Sequence, residues 1–149
     1  MLFRSGQTHV EVGDRLNVGL AQNNLGDALR ELGRLDEAGA AYAAALATYR
    51  DLGDLGPLMA LLEDVAILTI ERGDPATAFR LVGSSDGLRG VLGAPRPEAA
   101  ERALTERLAA ARESLGGRAA DSARRAGARL PTDRAIAAAI AAAEGAPVS

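Results

Sequence analysis

The chain has no cysteine, no tryptophan and no lysine, and a single histidine, His9. Without Cys and with one His it offers no four-ligand zinc site, no disulfide framework, no thiol nucleophile and no His-based catalytic pair. Aromatics make up 3% of the 149 positions, so a core must be assembled from the aliphatic and small residues behind the 48% hydrophobic fraction. Clustered positive charge is missing too: the net charge is −3 and the basic residues, all of them arginine, are scattered. Nucleic acid and anionic lipid both need such clusters, so neither is an expected partner. Preference for Arg over Lys, with the Ala and Gly excess, reads as the coding bias of a GC-rich genome. No stretch approaches the ~20 apolar residues that cross a bilayer; the longest candidate, residues 135–143, is bracketed by Arg134 and Glu144. The first residues hold no apolar run of signal-peptide length, and the expected location is the cytoplasm.

What is abundant is alanine, 33 residues of it. Alanine is the best helix former and lets helices approach closely, whereas sheets want the β-branched and aromatic residues that are scarce here. The fold class expected is therefore all-α.

An internal period organises the helices. QTHVEVGD at 7–14 matches ATYRDLGD at 47–54, with glycines at Gly13, Gly53 and Gly93, and a second glycine series, Gly33 and Gly73, falls between them. Each 40-residue period thus reads as helix, Gly turn, helix, Gly turn. Expected units are 1–13 (the end of an incomplete repeat), 14–53, 54–93, and a C-terminal helical cap over 94–149 with a frayed tail.

Apolar spacing places the helices. From Asp14, residues Leu16, Leu20, Leu25, Ala28, Leu29 and Leu32 define one face, and Gly33 stops the helix. Leu35, Ala38, Tyr42, Ala45, Leu46 and Tyr49 mark a second helix ending at Gly53. A third begins near Pro57 and carries Leu58, Leu61, Leu62, Val65, Leu68 and Ile70; a fourth starts with Asp74 as N-cap and Pro75 at its first position. Gly83, Ser84, Ser85 and Gly87 predict a kink in it. GSSDG is no phosphate loop, since it lacks the lysine and follows no strand. Residues 93–97 form a linker, 97–115 a long helix stopped by Gly116 and Gly117, 118–128 a short helix, and 132–143 a last one capped by Thr132 or Asp133.

In NLGDALRELGRLDEAGAAY, residues 24–42, the positions Leu25, Gly26, Leu29, Gly33, Ala38, Tyr42 and, just beyond, Ala45 resemble a tetratricopeptide repeat. Val65, Ala66, Gly73, Ala78 and Val82 form a degenerate second copy. The text from Gly73 onward is similar to the C-terminal helical arrays of large bacterial regulators that join an ATPase domain to a tetratricopeptide array and a DNA-binding domain. Neither a GxxxxGK[ST] motif nor a basic recognition helix is present, so the resemblance implies the interaction segment alone. It also implies a tetratricopeptide-like solenoid of antiparallel helix pairs.

In such arrays the first helix of each pair lines a concave groove. The resemblance places there Leu20, Asn23, Asn24, Asp27, Arg30 and Glu31 from one repeat, and Ala60, Glu63, Asp64, Ile67 and Glu71 from the next. Asn24 resembles the residue that clamps peptide C-terminal carboxylates, but Ala60 and Asp64 stand where the clamp has Lys or Arg, which excludes that mode. Five acidic residues, Asp27, Glu31, Glu63, Asp64 and Glu71, favour a basic or mixed helix or peptide as partner, other domains of the same regulator included. The plain alternative is a solvated helix face.

Glu98, Glu101, Arg102, Glu106 and Arg107 read as surface pairs on the long helix, Arg124 and Arg125 as a surface doublet, and His9 as a packing residue. Glu63 and Asp64 are neighbours that point about 100° apart on a helix, which does not suit paired-carboxylate chemistry. Residues 1–12 resemble the end of a helix whose pair is missing, so Leu2, Phe3, Val10 and Val12 are expected to support self-association. The function expected is a non-enzymatic protein-interaction module without cofactors or metals. The second reading, a small helical ligand-binding domain or enzyme with a pocket between the repeats and the C-terminal helices, has no nucleophile with a base and no metal ligands to support it.

Overall fold

The computed structural model describes residues 8–145. Seven helices account for it: α1 His9–Glu31, α2 Leu35–Leu52, α3 Leu58–Glu71, α4 Pro75–Leu92, α5 Glu98–Leu115, α6 Gly117–Ala128 and α7 Thr132–Ala143. There is no strand among the described residues, as the scarcity of sheet-forming residues requires.

Four turns share one chemistry. Gly33, Gly53, Gly73 and Gly93 stand 20 residues apart with φ of +78°, +69°, +82° and +64°. In each, the N–H after the glycine bonds back to the carbonyl five residues earlier: Arg34 to Leu29 at 2.9 Å, Asp54 to Tyr49 at 3.1 Å, Asp74 to Thr69 at 2.9 Å and Ala94 to Arg89 at 3.0 Å. This Schellman arrangement satisfies last-turn carbonyls and needs a left-handed residue, which favours glycine.

Gly13 behaves differently, and this corrects the expected boundary at 13/14. α1 runs through it, because a capping box starts the helix earlier: Glu11 N donates to Thr8 Oγ1 and Thr8 N to Glu11 Oε2, both at 3.1 Å. A glycine inside a helix costs only about 1 kcal/mol, so a well-capped helix absorbs it. His9 is accordingly an exposed first-turn residue and not part of the core. Val12 is buried and Val10 is 72% exposed, while Leu2 and Phe3 lie outside the described residues.

α1 packs along α2 and α3 along α4. Glycines make the first contact possible: Gly19 faces the ring of Tyr49 and Gly26 that of Tyr42, where a Cβ would come within 2.8 Å and 2.5 Å of ring carbons. α6 lies against α4 just as tightly. A Cβ at Gly83 or Gly127 would overlap the carbonyl of Arg124 or Arg80 across the interface, and one at Gly87 would lie 2.6 Å from the Ala128 oxygen. The GSSDG segment expected to kink is instead unbroken helix, its glycines used for this close crossing. α7 seals the assembly against α2, α3 and α4, with Gly39 admitting the Ala143 backbone. No side chain caps α7, contrary to the Thr132 or Asp133 cap expected, since Pro131 occupies the N-cap position. Its other end is served by Arg72, whose Nη1 donates to the carbonyls of Ala142 and Ala143 at 3.0 and 2.9 Å, while Nη2 reaches Leu35 O at 3.1 Å.

The buried aliphatic residues form one cluster running from α2 through α3 and α4 to α7, with Leu104, Leu108 and Ala111 of α5 at its edge. α1 contributes least. Of the face expected to be buried, Leu20, Leu25 and Leu32 are 54%, 53% and 71% exposed, Ala28 is exposed, and Leu16 and Leu29 are half-buried. The helical period was present in the sequence, but the wall that would cover this face is not among the described residues.

Candidate functional site

The groove residues divide into three groups. Asn23, Asp27 and Arg30 lie on α1 at steps of three and four, and Asp64 and Glu71 a helix away on α3, so these five meet between the helices. Asn23 Nδ2 donates to Asp64 Oδ2 at 3.0 Å and Arg30 Nη1 to Glu71 Oε1 at 3.1 Å. Between them Tyr42, fully buried on α2, donates its hydroxyl to Asp27 Oδ1 at 2.5 Å and accepts from Arg30 Nε at 3.2 Å. Burial first, and then the bond to Asp27, holds the Tyr42 phenol far above its ordinary range. It stays a donor at any working pH. Asp64 is pushed up to about 6, chiefly by burial and further by the nearby Asp27 carboxylate, against the opposing bond from Asn23. Asn23 with Asp64, Arg30 with Glu71, and Asp27 joined to Arg30 through Tyr42 thus make a polar ladder bracing α1 onto α2 and α3.

Asn24 and Glu31 form the second group, exposed on α1 away from the ladder, as Leu20 and Ala60 are exposed on α1 and α3. Glu63 and Ile67 form the third and leave the groove altogether. Ile67 is 6% exposed in the core. Glu63 turns to a charged cluster that sequence reasoning missed. Its Oε2 accepts from Arg96 at 2.9 Å, Arg89 at 3.1 Å and the Ser85 hydroxyl at 2.5 Å. Burial raises its carboxyl, and the bonds from Arg96 and Ser85 with the charges of Arg96 and Arg89 outweigh that, leaving it below its ordinary value. Arg96, with only 5% of its side chain exposed, also meets Asp86 at 3.1 Å and Glu101 at 2.6 Å. Arg124 completes the set with Asp86 at 2.6 Å and Glu101 at 3.5 Å.

Three arginines thus face three carboxylates drawn from α3, α4, the 93–97 segment, α5 and α6. The expected surface doublet is split, with Arg124 tied inward and Arg125 exposed. On α5, Glu98 and Arg102 make a helix-surface pair at 3.5 Å, whereas Glu101 belongs to the cluster. The legible hint was Arg96 itself, an arginine held between Pro95 and Pro97, two residues that stiffen the backbone carrying it.

Among the described residues no group of three or more His, Asp or Glu side chains is placed to hold a metal ion. No helix there is long and apolar enough to cross a membrane.

One apolar surface remains. Val18, Ala21, Leu25, Ala28 and Leu32 follow one another on α1 at steps of three and four, and all five are exposed. Forty residues on, their counterparts are Leu58, Leu61, Val65 and Leu68 on α3, each 0% exposed, and Arg72 just beyond its end. Against this geometry, comparison with family models, curated proteins and solved structures finds no match.

Proposed function

We propose that the chain is a non-enzymatic protein-interaction module, a tetratricopeptide-like stack of helix pairs that engages a partner helix along the outer face of α1. The observation that carries this reading is the five-residue stripe from Val18 to Leu32, exposed on α1 while its counterpart on α3 is buried. Helical repeats hide each apolar face against the next unit, so this face calls for a further helix, rich in small and aliphatic side chains, lying on α1 as α2 lies on α3. The ladder of Asn23, Asp27, Arg30, Asp64 and Glu71 serves in this reading as an internal brace, with Asn24 and Glu31 at the rim of the contact. Service as the regulatory segment of an ATP-dependent transcriptional regulator rests on the resemblance of residues 73–140, and the helix supplied to α1 would then come from the same polypeptide or its complex.

A photo-crosslinking residue at Leu25 tests this in a bacterial cytosol that expresses the chain. Adducts are expected at Leu25 and absent from the same probe at Glu106 on α5; they should vanish when Val18 and Leu32 are both changed to Ser. Equal labelling at both sites, or adducts that survive the double change, would reject the reading.

A further inference from the structure

Three sizeable cavities border the C-terminal helices, and the chemistry of their arginines separates them. One, of about 420 Å³, is lined by Asp86, Arg89, Arg96, Glu101 and Arg124, whose charges are already matched within the cluster. A second, of about 450 Å³ beneath α5, carries Arg112 and Arg124 on its wall, and these are held by Asp121 at 2.7 Å and Asp86 at 2.6 Å. The third, of about 350 Å³, lies between α4 and α7. Thr77, Arg80, Leu81 and Ser84 line it from one face of α4, with Leu130, Arg134 and Ala138 opposite. Here the cations are not matched. Arg80 donates to Thr77 Oγ1 at 2.9 Å, and among the described residues neither Arg80 nor Arg134 pairs with a carboxylate.

The rest of the lining is mostly apolar, and a smaller cavity adjoins it. This recess of about 60 Å³ shares Ser84 and Leu130 with it and reaches Leu62, Leu88, Ala135 and Ile136 of the core. The Ser84 hydroxyl is spoken for by the carbonyls of Arg80 and Gly127, at 3.2 and 3.3 Å, so it adds no polar demand to the floor. Two unmatched arginines and the aliphatic side chains that share the lining with them favour one kind of guest, a single anionic head with an apolar tail. A carboxylate pairs with a guanidinium fork through two parallel charge-assisted bonds and carries a single negative charge, and a slender aliphatic chain suits the apolar lining.

We propose that the cleft between α4 and α7 binds an aliphatic monocarboxylate, its head between Arg80 and Arg134 and its chain directed past Leu81 and Leu130 toward Ile136. Occupation would tie α7 to α4, linking the C-terminal helices to the second helix pair. This site lies on the opposite end of the helix order from α1 and stands or falls independently of the proposed partner surface.

Decanoate, decanol and inorganic phosphate, each titrated below any micelle concentration into the full chain and followed by backbone amide resonances, test it. Decanoate is expected to shift the amides of Leu81, Leu130 and Ala138 saturably, decanol to bind about ten-fold more weakly for want of charge-assisted bonds, and phosphate to leave these amides unmoved. Arg134→Gln, at an exposed position, is expected to weaken decanoate about ten-fold while the spectrum stays folded, and Ala138→Trp to fill the cavity and abolish binding. Equal binding of decanol, equal binding of phosphate, shifts centred on the Val18–Leu32 stripe, or decanoate affinity unchanged in Arg134→Gln would each overturn the proposal. Should Ala138→Trp unfold the chain, Arg134→Gln alone decides.

Discussion

α1 and α3 occupy equivalent places in their helix pairs and carry apolar stripes in the same register, yet one stripe faces solvent and the other is sealed. On α3, Leu58, Leu61, Val65 and Leu68 are each 0% exposed, enclosed by α2, α4 and α7. On α1, Val18, Leu25 and Leu32 are 49%, 53% and 71% exposed, and only α2, with a slight touch from α3, supports the helix. The same periodicity therefore has two meanings, decided by which neighbour is present. α1 compensates with a capping box and glycines that seat two tyrosine rings, devices that α3 lacks, and with the polar ladder that ties it to α2 and α3.

The largest expected effect breaks this comparison most directly. Leu61→Ala removes a fully buried side chain and should cost about 2–5 kcal/mol, whereas Leu25→Ala at the exposed position should stay within about 0.5 kcal/mol. Urea unfolding of both variants measures the difference, and comparable losses would mean that the α1 stripe is covered in solution. Next is Arg96→Ala, which leaves the largely buried Glu63 without its closest cation and Asp86 with Arg124 alone. A loss of about 3 kcal/mol is expected, together with faster amide exchange across α5, which buries only Leu104, Leu108 and Ala111. Exchange unchanged in α5 would show that the charged cluster does not hold that helix.

Much of this architecture was legible in advance, and the limits have physical causes. Gly33, Gly53, Gly73 and Gly93 announced the turns because a left-handed terminal residue is nearly a glycine requirement, and the Asp74–Pro75 start of α4 follows from equally local chemistry. Gly13, Gly83 and Gly87 are the same residue in other roles. One is absorbed by a strong N-cap and two admit a crossing helix, and only the tertiary partner distinguishes these from a break. In the groove, the helical phase brought Asn23, Asp27, Arg30, Asp64 and Glu71 together, but Tyr42 joins them from α2, outside the reach of single-helix spacing. Glu63 was lost to the groove because Arg89 and Arg96, remote in sequence, draw it to the other side of α3.

Asp64 sharpens the comparison through pH, since α3 bears a part-buried carboxylate where α1 offers the exposed Asn24. Its folded pKa of about 6 lies above the ordinary 3.8, so its ionisation opposes folding. Between pH 6 and 4 the folded chain takes up a proton that the unfolded chain does not, and stability from this group rises as pH falls, being complete below about 4 and lost above about 6. Asp64→Asn should therefore be more stable than the parent by about 2 kcal/mol at pH 7.5 and gain little at pH 4.5. The neighbouring Glu63 has the opposite sign, its depressed pKa contributing stability that falls away with acid, so the test rests on the difference between variant and parent at each pH. A gap that does not close on acidification would show that Asp64 is not the titrating group.

The smallest expected effect concerns the start of α1, a helix that rests chiefly on α2 alone. Thr8→Ala removes the hydroxyl that accepts from Glu11 N, leaving one of the first-turn N–H groups to water. The cap is worth about 1 kcal/mol, but where that loss appears depends on how α1 is held. If the tyrosine rings on Gly19 and Gly26 and the ladder to α3 fix the helix, the first turn alone frays, and amide exchange accelerates only up to about Gly13 while the urea midpoint barely moves. If a partner helix on the Val18–Leu32 stripe is needed to order α1, the isolated variant should lose protection along the whole helix as far as Glu31. The extent of the exchange front along α1 thus separates a helix sustained by its own pair from one completed by a partner.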